Sequence, residues 1–307
     1  MQKIIAIVDL GTNTFNVLIA EVSAVRIEKT LFAREFPVKL GEGGIGRGYI
    51  AEAAFHRGLS AMQEISKTIG LYNAEMVKAV ATSAIRSASN GKEFIQSVKK
   101  ETGIAITAID GEREAELICL GVKSAVELHD PALIMDIGGG SVEFILADAN
   151  TIYWKRSYPV GAARLKDQFH HSDPISAEDI TSLNKHLEHH LSEVVKTCRK
   201  YRPLKLIGSA GAFETFAEMV RLRFKHASVA GQPSFTFRMD EFHEIADLIL
   251  QSDNQQRTTM PGLASFRIDM IVMATVLTRH VLERSGVSVM ILSYYALKEG
   301  VLAEMVQ

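Results

Sequence analysis

The stretch that decides the fold is 136–143, which reads DIGGGSVE. Three consecutive glycines are costly to order, because glycine loses more backbone freedom on folding than any other residue. Apolar runs typical of β-strands stand on both sides, ALIM before the stretch and FILA after it. We therefore interpret the stretch as a tight glycine turn between two strands, which makes a β-hairpin.

A second copy of this pattern occurs near the N-terminus. DLGTNTFNVLIA begins at Asp9 and aligns with DIGGGSVEFILA, which begins at Asp136. The same shift pairs Gly11 with Gly138. The duplication predicts one hairpin in each half of the chain, and two such turns could hold a phosphate chain from both sides.

Both turns have the composition of a phosphate-binding loop, since glycine exposes backbone N–H groups and a following hydroxyl adds a donor. A third candidate, GSAG at 208–211, follows the strand-like LKLI and opens a helix, whose free N–H groups and dipole favour anions. The phosphate-binding residues predicted from the three loops are Gly11, Thr12, Asn13, Thr14, Gly138, Gly139, Gly140, Ser141, Gly208, Ser209, Ala210 and Gly211.

Strand-like and helix-like runs alternate along the chain, which predicts an α/β fold. The strand-like runs are IIAIVDL, NVLIAEV, MVKAVAT, IAITAID, ALIMDI, EFILAD, LKLIGS and VSVMILS. Apolar residues at helical spacing predict amphipathic helices over 52–70 and 176–200, and a nearly all-apolar, buried helix over 264–282.

The length of 307 residues favours two domains. We place the first at 1–124 and the second at 125–294. The last helix, at about 295–307, is expected to pack back on the first domain.

Composition excludes several classes of function. A net charge of −2 disfavours a nucleic-acid binder that acts by whole-surface attraction. No apolar stretch reaches the roughly 20 residues of a membrane span, so we expect a cytoplasmic protein that binds no membrane. Cys119 and Cys198 form no CxxC, which argues against a disulfide framework or zinc site and fits a reducing compartment.

Three other chemistries find no support in the sequence. HLEHH at 186–190 is not HExxH, and we place its histidines on the solvent-exposed side of the predicted helix. Neither cysteine begins a Cys-x5-Arg loop, which argues against a cysteine phosphatase, and no GxxxxGK[ST] motif occurs. Basic clusters at 199–205 and 221–225 could steer a polyanion or could form ordinary solvated faces.

Seven motifs together resemble the exopolyphosphatase and guanosine pentaphosphate phosphohydrolase (Ppx/GppA) family. In chain order they are DLGTNTFNVLIA, LGEGGIGRG, ATSAIRSASN, DGEREAELICLGV, DIGGGSVEFILA, GSAGAFETFAEM and LSYYALKEGVL. The resemblance implies two actin-like (ribonuclease H-like) domains, each a mixed sheet flanked by helices, with the active-site cleft between them. The chain resembles the family's short two-domain form, which lacks the helical C-terminal region of longer members.

The resemblance also implies a metal-dependent hydrolase. Its substrate would be inorganic polyphosphate, which loses terminal phosphate, or guanosine pentaphosphate, which loses its 5′-γ-phosphate; the sequence ranks neither above the other. Mg²⁺ or Mn²⁺ is the expected cofactor and a homodimer the expected assembly. Because fold alone does not select a function, an actin-fold kinase or nucleotide-binding switch is the alternative.

Glu114 is the candidate for positioning the attacking water, since it matches the family's catalytic glutamate in G-x-x-E-A. It stands at the start of a predicted helix, where Glu112 and Glu116 point elsewhere because helical residues two apart diverge by about 200°. Arg86, in ATSAIRS, matches the family arginine that grips the terminal phosphate. A guanidinium can bind two phosphate oxygens at once.

The carboxylates of the second hairpin are the candidate metal ligands. Asp136 and Glu143 stand seven apart, and the turn folds both toward one side of the glycine loop. Asp136 would hold Mg²⁺ directly or through water, and Glu143 would complete the metal site or orient the attacking water. Asp9 would serve the metal or the phosphate from the other domain. Asn16 replaces the glutamate in the first hairpin, which favours a metal nearer the second loop.

Two positions depart from the family pattern. Ala212 lacks the hydroxyl that the family commonly carries in the third loop. Lys298 replaces a usual arginine, which keeps the charge but not the bidentate geometry.

Overall fold

The chain folds into two compact units in the computed structural model, which describes residues 2–23, 27–228 and 231–306. Unit 1 comprises Met1–Ser124 and Ala296–Gln307, and unit 2 comprises Ala125–Tyr295. Met1 and Gln307, at the ends of the domains predicted from the sequence, lie outside the described residues. Within those residues, no helix is both long and apolar enough to cross a lipid bilayer.

Unit 1 contains a five-stranded mixed sheet. Its strands are β1 (Lys3–Leu10), β2 (Thr14–Val22), β3 (Ile27–Pro37), β4 (Met76–Ala81) and β5 (Ile106–Ala108), in the order β3-β2-β1-β4-β5. The first three strands pair antiparallel, and β1, β4 and β5 pair parallel. Its first four helices are α1 (Glu52–Leu71), α2 (Ser83–Ser87), α3 (Gly91–Thr102) and α4 (Gly111–Lys123).

Unit 2 contains a six-stranded mixed sheet. Its strands are β6 (Ala132–Ile137), β7 (Val142–Ala147), β8 (Ile152–Tyr158), β9 (Lys205–Ser209), β10 (Ser234–Thr236) and β11 (Val289–Ser293), in the order β10-β11-β9-β6-β7-β8. Its helices are α5 (Ala162–Phe169), α6 (Ala177–His190), α7 (Ser192–Tyr201), α8 (Ala210–Arg223), α9 (Met239–Gln251), α10 (Asn254–Thr258) and α11 (Ile268–Ser285).

The two hairpins predicted from the duplication are both present, each in its own sheet. Leu10 pairs with Phe15 at the end of the first hairpin, and Ile137 pairs with Val142 at the same place in the second. Each unit is therefore a mixed sheet flanked by helices, which confirms the predicted α/β class.

The core of unit 2 holds the second hairpin in place. β6 and β7 are buried at every position, the pattern of central strands that are covered on both faces. Four fully buried phenylalanines pack into the same core, Phe144, Phe213, Phe216 and Phe242. A close-packed interior resists displacement of its strands, so the turn that joins β6 to β7 has a fixed position.

The last helix, α12 (Leu297–Val306), belongs to unit 1 and packs closely against α4. Arg113 on α4 forms ion pairs with Glu304 on α12 and, at 2.9 Å, with Glu116. This packing supports the helix that carries Glu114.

The sequence missed some elements and merged others. Three strands, β3, β8 and β10, were not predicted, and all three are edge strands with few buried positions. The single helix predicted over 176–200 is wrong, because the helix breaks at Leu191 into α6 and α7. The helix predicted over 264–282 starts later, after a 3₁₀ turn at Ser265–Arg267.

Candidate active site

Three glutamates at the start of α4 differ in what surrounds them. Asp110 caps this helix by accepting a hydrogen bond from the backbone N–H of Arg113 at 2.7 Å. Glu112 is exposed and Glu116 is half-buried, whereas Glu114 is only 6% exposed. Burial therefore separates the predicted catalytic glutamate from its two neighbours.

Arg86 and Glu114, which the sequence predicts to act together, are in direct contact. Arg86 Nη1 donates to Glu114 Oε2 at 2.8 Å and to the carbonyl oxygen of Ile109 at 2.9 Å. The guanidinium has five N–H donors, of which Nη1 carries two. In the part of the chain that the structure describes, Nε and Nη2 donate to no protein acceptor, and a quarter of the Arg86 side chain is exposed.

The first glycine loop is tied down through its carbonyl groups. Gly11 N–H donates to Thr14 O at 3.1 Å, which closes the turn. The carbonyl oxygen of Asn13 accepts two N–H groups and that of Thr12 accepts one, all from residues 38–41. The N–H groups of Thr12 and Asn13 donate to no other residue within 2–23, 27–228 and 231–306. They are consequently available to an anion.

The segment 38–41 leads into the LGEGGIGRG motif at 40–48, to which the sequence assigned no role. The N–H groups of Val38, Lys39 and Gly41 hold the first glycine loop at 3.0, 2.7 and 3.0 Å, and Gly41 is the one of these three that belongs to the motif. The buried Asn13 Oδ1 has no hydrogen-bond partner among the described residues. A buried polar atom without a partner is commonly satisfied by a ligand or water.

The second glycine loop repeats this arrangement. Gly138 N–H donates to Ser141 O at 3.1 Å, the counterpart of the bond that closes the first loop. The first N–H groups of α5 donate to the carbonyl oxygens of Gly138 and Gly139 at 3.0 and 2.8 Å. Among the described residues, the N–H groups of Gly139 and Gly140 find no acceptor.

Gly161 allows α5 to approach this loop. A Cβ atom at this position would lie 2.5 Å from backbone atoms of Gly139 and Gly140, which a real Cβ does not tolerate. The helix N-terminus therefore meets the loop backbone directly, and its N–H groups reach the loop carbonyls.

The carboxylates of the second hairpin are buried and held by serine hydroxyls. Asp136 and Glu143 are direct cross-strand partners, 8% and 1% exposed. Ser209 Oγ donates to Asp136 Oδ2 at 2.5 Å. Ser141 and Ser157 donate to the same oxygen of Glu143, Oε1, at 2.7 and 2.6 Å. Ser141 and Ser209, predicted as phosphate ligands, thus orient carboxylates here.

Ser157 was missed because its strand, β8, was not predicted. The register places Ser157 directly opposite Glu143, so a correct reading of the edge strand would have found it. A period-2 pattern carries little signal where the strand has few buried positions.

The residues present fit a Mg²⁺ ion that is shared with substrate. No group of three or more His, Cys, Asp or Glu side chains in the described ranges could hold a metal alone. Mg²⁺ at phosphoryl-transfer sites is commonly bound by one or two carboxylates together with phosphate oxygens and waters. The Asp136–Glu143 pair offers such oxygen ligands. In unit 1, Asp9 accepts a hydrogen bond from Asn16 Nδ2 at 3.1 Å.

The third loop connects β9 to α8 in unit 2. Ser209 is the N-cap residue, and Ala210 adopts a φ of +66°, a backbone conformation that L-residues rarely adopt. The first N–H groups of a helix have no intrahelical partner. Ala212 is half-buried and packs on the hydrophobic core, which accounts for a methyl group there.

Arg267 was not singled out from the sequence, yet it contacts this third loop. Its guanidinium donates to the carbonyl oxygen of Gly211, to Thr215 Oγ1 at 3.1 Å and to Glu214 Oε2 at 2.9 Å. The side chain is 13% exposed. Its partners lie more than 50 positions away in the chain, so no local pattern indicates the contact.

The two basic clusters, which both lie in unit 2, are not next to the loop that begins α8. Arg221 and Arg223 form ion pairs with Glu218 and Glu244, both at 2.6 Å. The cluster at 199–205 ends where β9 begins. It therefore lies at the opposite end of this strand from the loop that follows Ser209. Lys298 lies 3.1 Å from its neighbour Glu299 in unit 1.

The histidines of HLEHH are not all on a solvated face, which corrects the prediction. His189 is exposed, but His186 and His190 are half-buried and stack with their ring centroids 4.0 Å apart. Burial lowers the pKa of His186, and the positive charges of protonated His190 and His189 would act in the same direction.

Comparison with known proteins gives consistent results. The sequence model of the Ppx/GppA phosphatase family matches residues 18–307. Exopolyphosphatase 2 of Mycobacterium tuberculosis is 27% identical over an alignment of 314 positions that covers 97% of each chain.

Two solved structures are similar over nearly the whole chain. An exopolyphosphatase from Cytophaga hutchinsonii is 37% identical, with a TM-score of 0.96 and coverage of 100% of this chain and 98% of that one. The Ppx/GppA family member from Aquifex aeolicus is 24% identical, with a TM-score of 0.79 over 100% and 98% of the two chains. These likenesses show that the chain has the same fold as these two proteins over nearly its whole length.

Proposed function

Because the chain belongs to the Ppx/GppA phosphatase family, we propose that it hydrolyses the terminal phosphoanhydride bond of inorganic polyphosphate. The 5′-γ-phosphate of guanosine pentaphosphate is the second substrate of the proposal. The relatives named as exopolyphosphatases support polyphosphate. The observation that carries the proposal is the ion pair between Arg86 and Glu114.

The ion pair uses one nitrogen of the Arg86 guanidinium and leaves the other two for substrate. Nη1 holds Glu114 and the Ile109 carbonyl, and the Nε and Nη2 edge remains for two oxygens of a terminal phosphate. If Arg86 grips the terminal phosphate, the carboxylate of Glu114 that is bound to it would lie beside the phosphorus atom. From there, Glu114 would orient or deprotonate the attacking water, the step for which phosphoryl transfer needs a positioned group.

The glycine loops supply neutral donors for the rest of the phosphate chain. In both hairpins the loop carbonyls are occupied, so the N–H groups at Thr12 and Asn13 and at Gly139 and Gly140 are the donors that an anion meets. The first turn of α8 adds helix N–H groups and a favourable dipole.

Asp136 and Glu143 would hold Mg²⁺ or Mn²⁺, directly or through water. When bound, the ion would neutralise charge that develops on the phosphate oxygens. Ser209 donates to Asp136, while Ser141 and Ser157 donate to Glu143, and these bonds would keep both carboxylates oriented.

Phosphate release from three substrates tests the proposal. One purified sample is given polyphosphate, guanosine pentaphosphate or ATP with Mg²⁺, and orthophosphate is measured over time. We expect rapid release from polyphosphate or guanosine pentaphosphate and much slower release from ATP. Release from none of them would overturn the proposal, and ATP turnover only with an added acceptor would favour a kinase.

A homodimer is a further prediction. Light scattering during size-exclusion chromatography should give twice the chain mass of 33.8 kDa.

A further inference from the structure

We propose that Arg164 and Arg267 are positioning residues. They hold the second and third phosphate-binding loops by donating hydrogen bonds to backbone carbonyl oxygens of those loops. The inference rests on the proposed function for its kinetic part, but its structural part stands without any substrate. Both residues lie in unit 2, and neither is assigned a role in phosphate binding above.

Arg267 fixes the first turn of α8. It donates to the carbonyl oxygen of Gly211, which also accepts from Thr215 Oγ1 at 2.8 Å. A Cβ atom on Gly211 would lie 2.6 Å from Arg267 Cζ, so the guanidinium packs directly against the loop backbone. Because these bonds occupy the carbonyl side, the N–H groups of the first turn stay directed toward the helix N-terminus.

Arg267 also neutralises a charge that would oppose phosphate. Glu214 lies one turn into α8, and its carboxylate is 2.9 Å from Arg267 Nη2. An unpaired carboxylate at this distance from the helix N-terminus would repel an incoming phosphate and reduce the benefit of the helix dipole.

Arg164 does the corresponding work at the second loop. Its Nε donates to the carbonyl oxygen of Gly140 at 2.9 Å, and its backbone N–H donates to Gly139 O at 3.4 Å. With Gly138 O bound to the N–H of Ala162, all three glycine carbonyls of the loop are held by the start of α5.

The two arginines are connected through α11. This helix packs against α5, and Asp269 in its first turn lies 3.4 Å from Lys166, two residues beyond Arg164. Arg267 directly precedes α11. The start of α11 therefore links the helix that holds one loop to the arginine that holds the other.

Arg267 and Arg164 differ from Arg86 in the groups that their guanidinium nitrogens contact. Arg267 uses both terminal nitrogens on protein acceptors, and Arg164 uses Nε on a loop carbonyl. Arg86 keeps a two-donor edge. The two terminal nitrogens bonded to protein assign positioning to Arg267, the bond to the Gly140 carbonyl assigns it to Arg164, and the open Nε and Nη2 edge assigns substrate contact to Arg86.

Backbone amide exchange in the substrate-free protein tests the proposal. Arg267→Met should raise exchange in peptides that cover 208–215, and Arg164→Met should raise it in peptides that cover 138–141. Arg223→Met removes an exposed ion pair with Glu244 at the far end of α8 and should change neither loop.

The kinetic readout separates positioning from direct contact. We expect Arg267→Met to raise KM for polyphosphate roughly tenfold or more, with a smaller effect on kcat, since loop donors that are misplaced bind phosphate weakly. Adding Glu214→Gln should restore part of the loss by removing the opposing charge. If Arg267→Met does not fold, Arg267→Lys, which retains charge but not the three-acceptor geometry, carries the same test.

A raised KM with unchanged exchange at 208–215 would overturn the proposal, because Arg267 would then contact phosphate itself. Unchanged exchange together with unchanged KM would overturn it as well. If the wild-type protein releases no phosphate, the proposed function fails, and the exchange result still decides whether the arginines hold the loops.

Discussion

At the scale of single residues, Glu114 gains its proposed role from its surroundings. The sequence offers three glutamates within five positions, and only Glu114 is both buried and bonded to Arg86. Glu112 faces solvent and Glu116 pairs with Arg113. Helical geometry makes this separation predictable, but the choice among the three came from the family resemblance.

The first prediction concerns Glu114→Gln. Glutamine preserves the shape of the side chain and an acceptor for Arg86 but removes the basic oxygen. Turnover of polyphosphate should fall by about 100- to 10,000-fold with little change in substrate binding. The measurement is steady-state phosphate release.

Glu112→Gln is the matched control, since it removes the same charge from the same helix start on the exposed side. It should retain most activity. Near wild-type turnover by Glu114→Gln, or greater damage from Glu112→Gln, would shift the water-positioning role to Glu143.

The second prediction concerns Asp136 and the metal. Excess chelator should abolish phosphate release, and Mg²⁺ or Mn²⁺ should restore it, because hard oxygen ligands suit these ions. Asp136→Asn should raise the Mg²⁺ concentration needed for half-maximal activity or abolish turnover. Circular dichroism checks that the fold is intact, and full activity in excess chelator would contradict the metal assignment.

At the scale of secondary structure, the sequence predicted the central strands of both sheets and missed three of the four edge strands. The hairpins were accessible because Asp9 and Asp136 begin the same pattern twice. Strand β8 was not, because only its last residue, Tyr158, is buried. The contacts of Ser157 and Arg267 depend on register and long-range packing, so they required the structure.

Helix α11 provides a prediction on pH and stability. His280 is buried, and its Nδ1 lies 3.0 Å from Asn184 Oδ1 on α6. Burial lowers the pKa of His280, and Arg284 adds to the effect. The folded protein therefore resists protonation at this site, whereas the unfolded chain takes up a proton below a pH of about 6.5.

Since the unfolded state then binds more protons, the free energy of unfolding should fall as the pH drops from 7 to 5. His170, whose pKa burial also lowers, contributes in the same direction. Urea unfolding at several pH values measures the slope, and His280→Gln should make it shallower. An unchanged slope in this variant would show that His280 does not contribute to the pH dependence of the free energy of unfolding.

At the scale of the whole molecule, the charge balance sets how an anionic substrate is bound. A net charge of −2 provides no general attraction for polyphosphate, and the basic side chains at 221–225 that form ion pairs are largely neutralised. Under the proposed function, polyphosphate binding would therefore rely on local donors, namely the loop N–H groups and Arg86.

The products formed from long-chain polyphosphate test the central claim most directly. The purified protein with Mg²⁺ is followed by ³¹P NMR, which distinguishes orthophosphate, chain-end phosphate and mid-chain phosphate. We expect orthophosphate to accumulate while mid-chain signal declines, without a burst of new chain ends. A rise in chain ends without orthophosphate would indicate internal cleavage, and an unchanged spectrum would indicate no hydrolysis; either result would contradict the account.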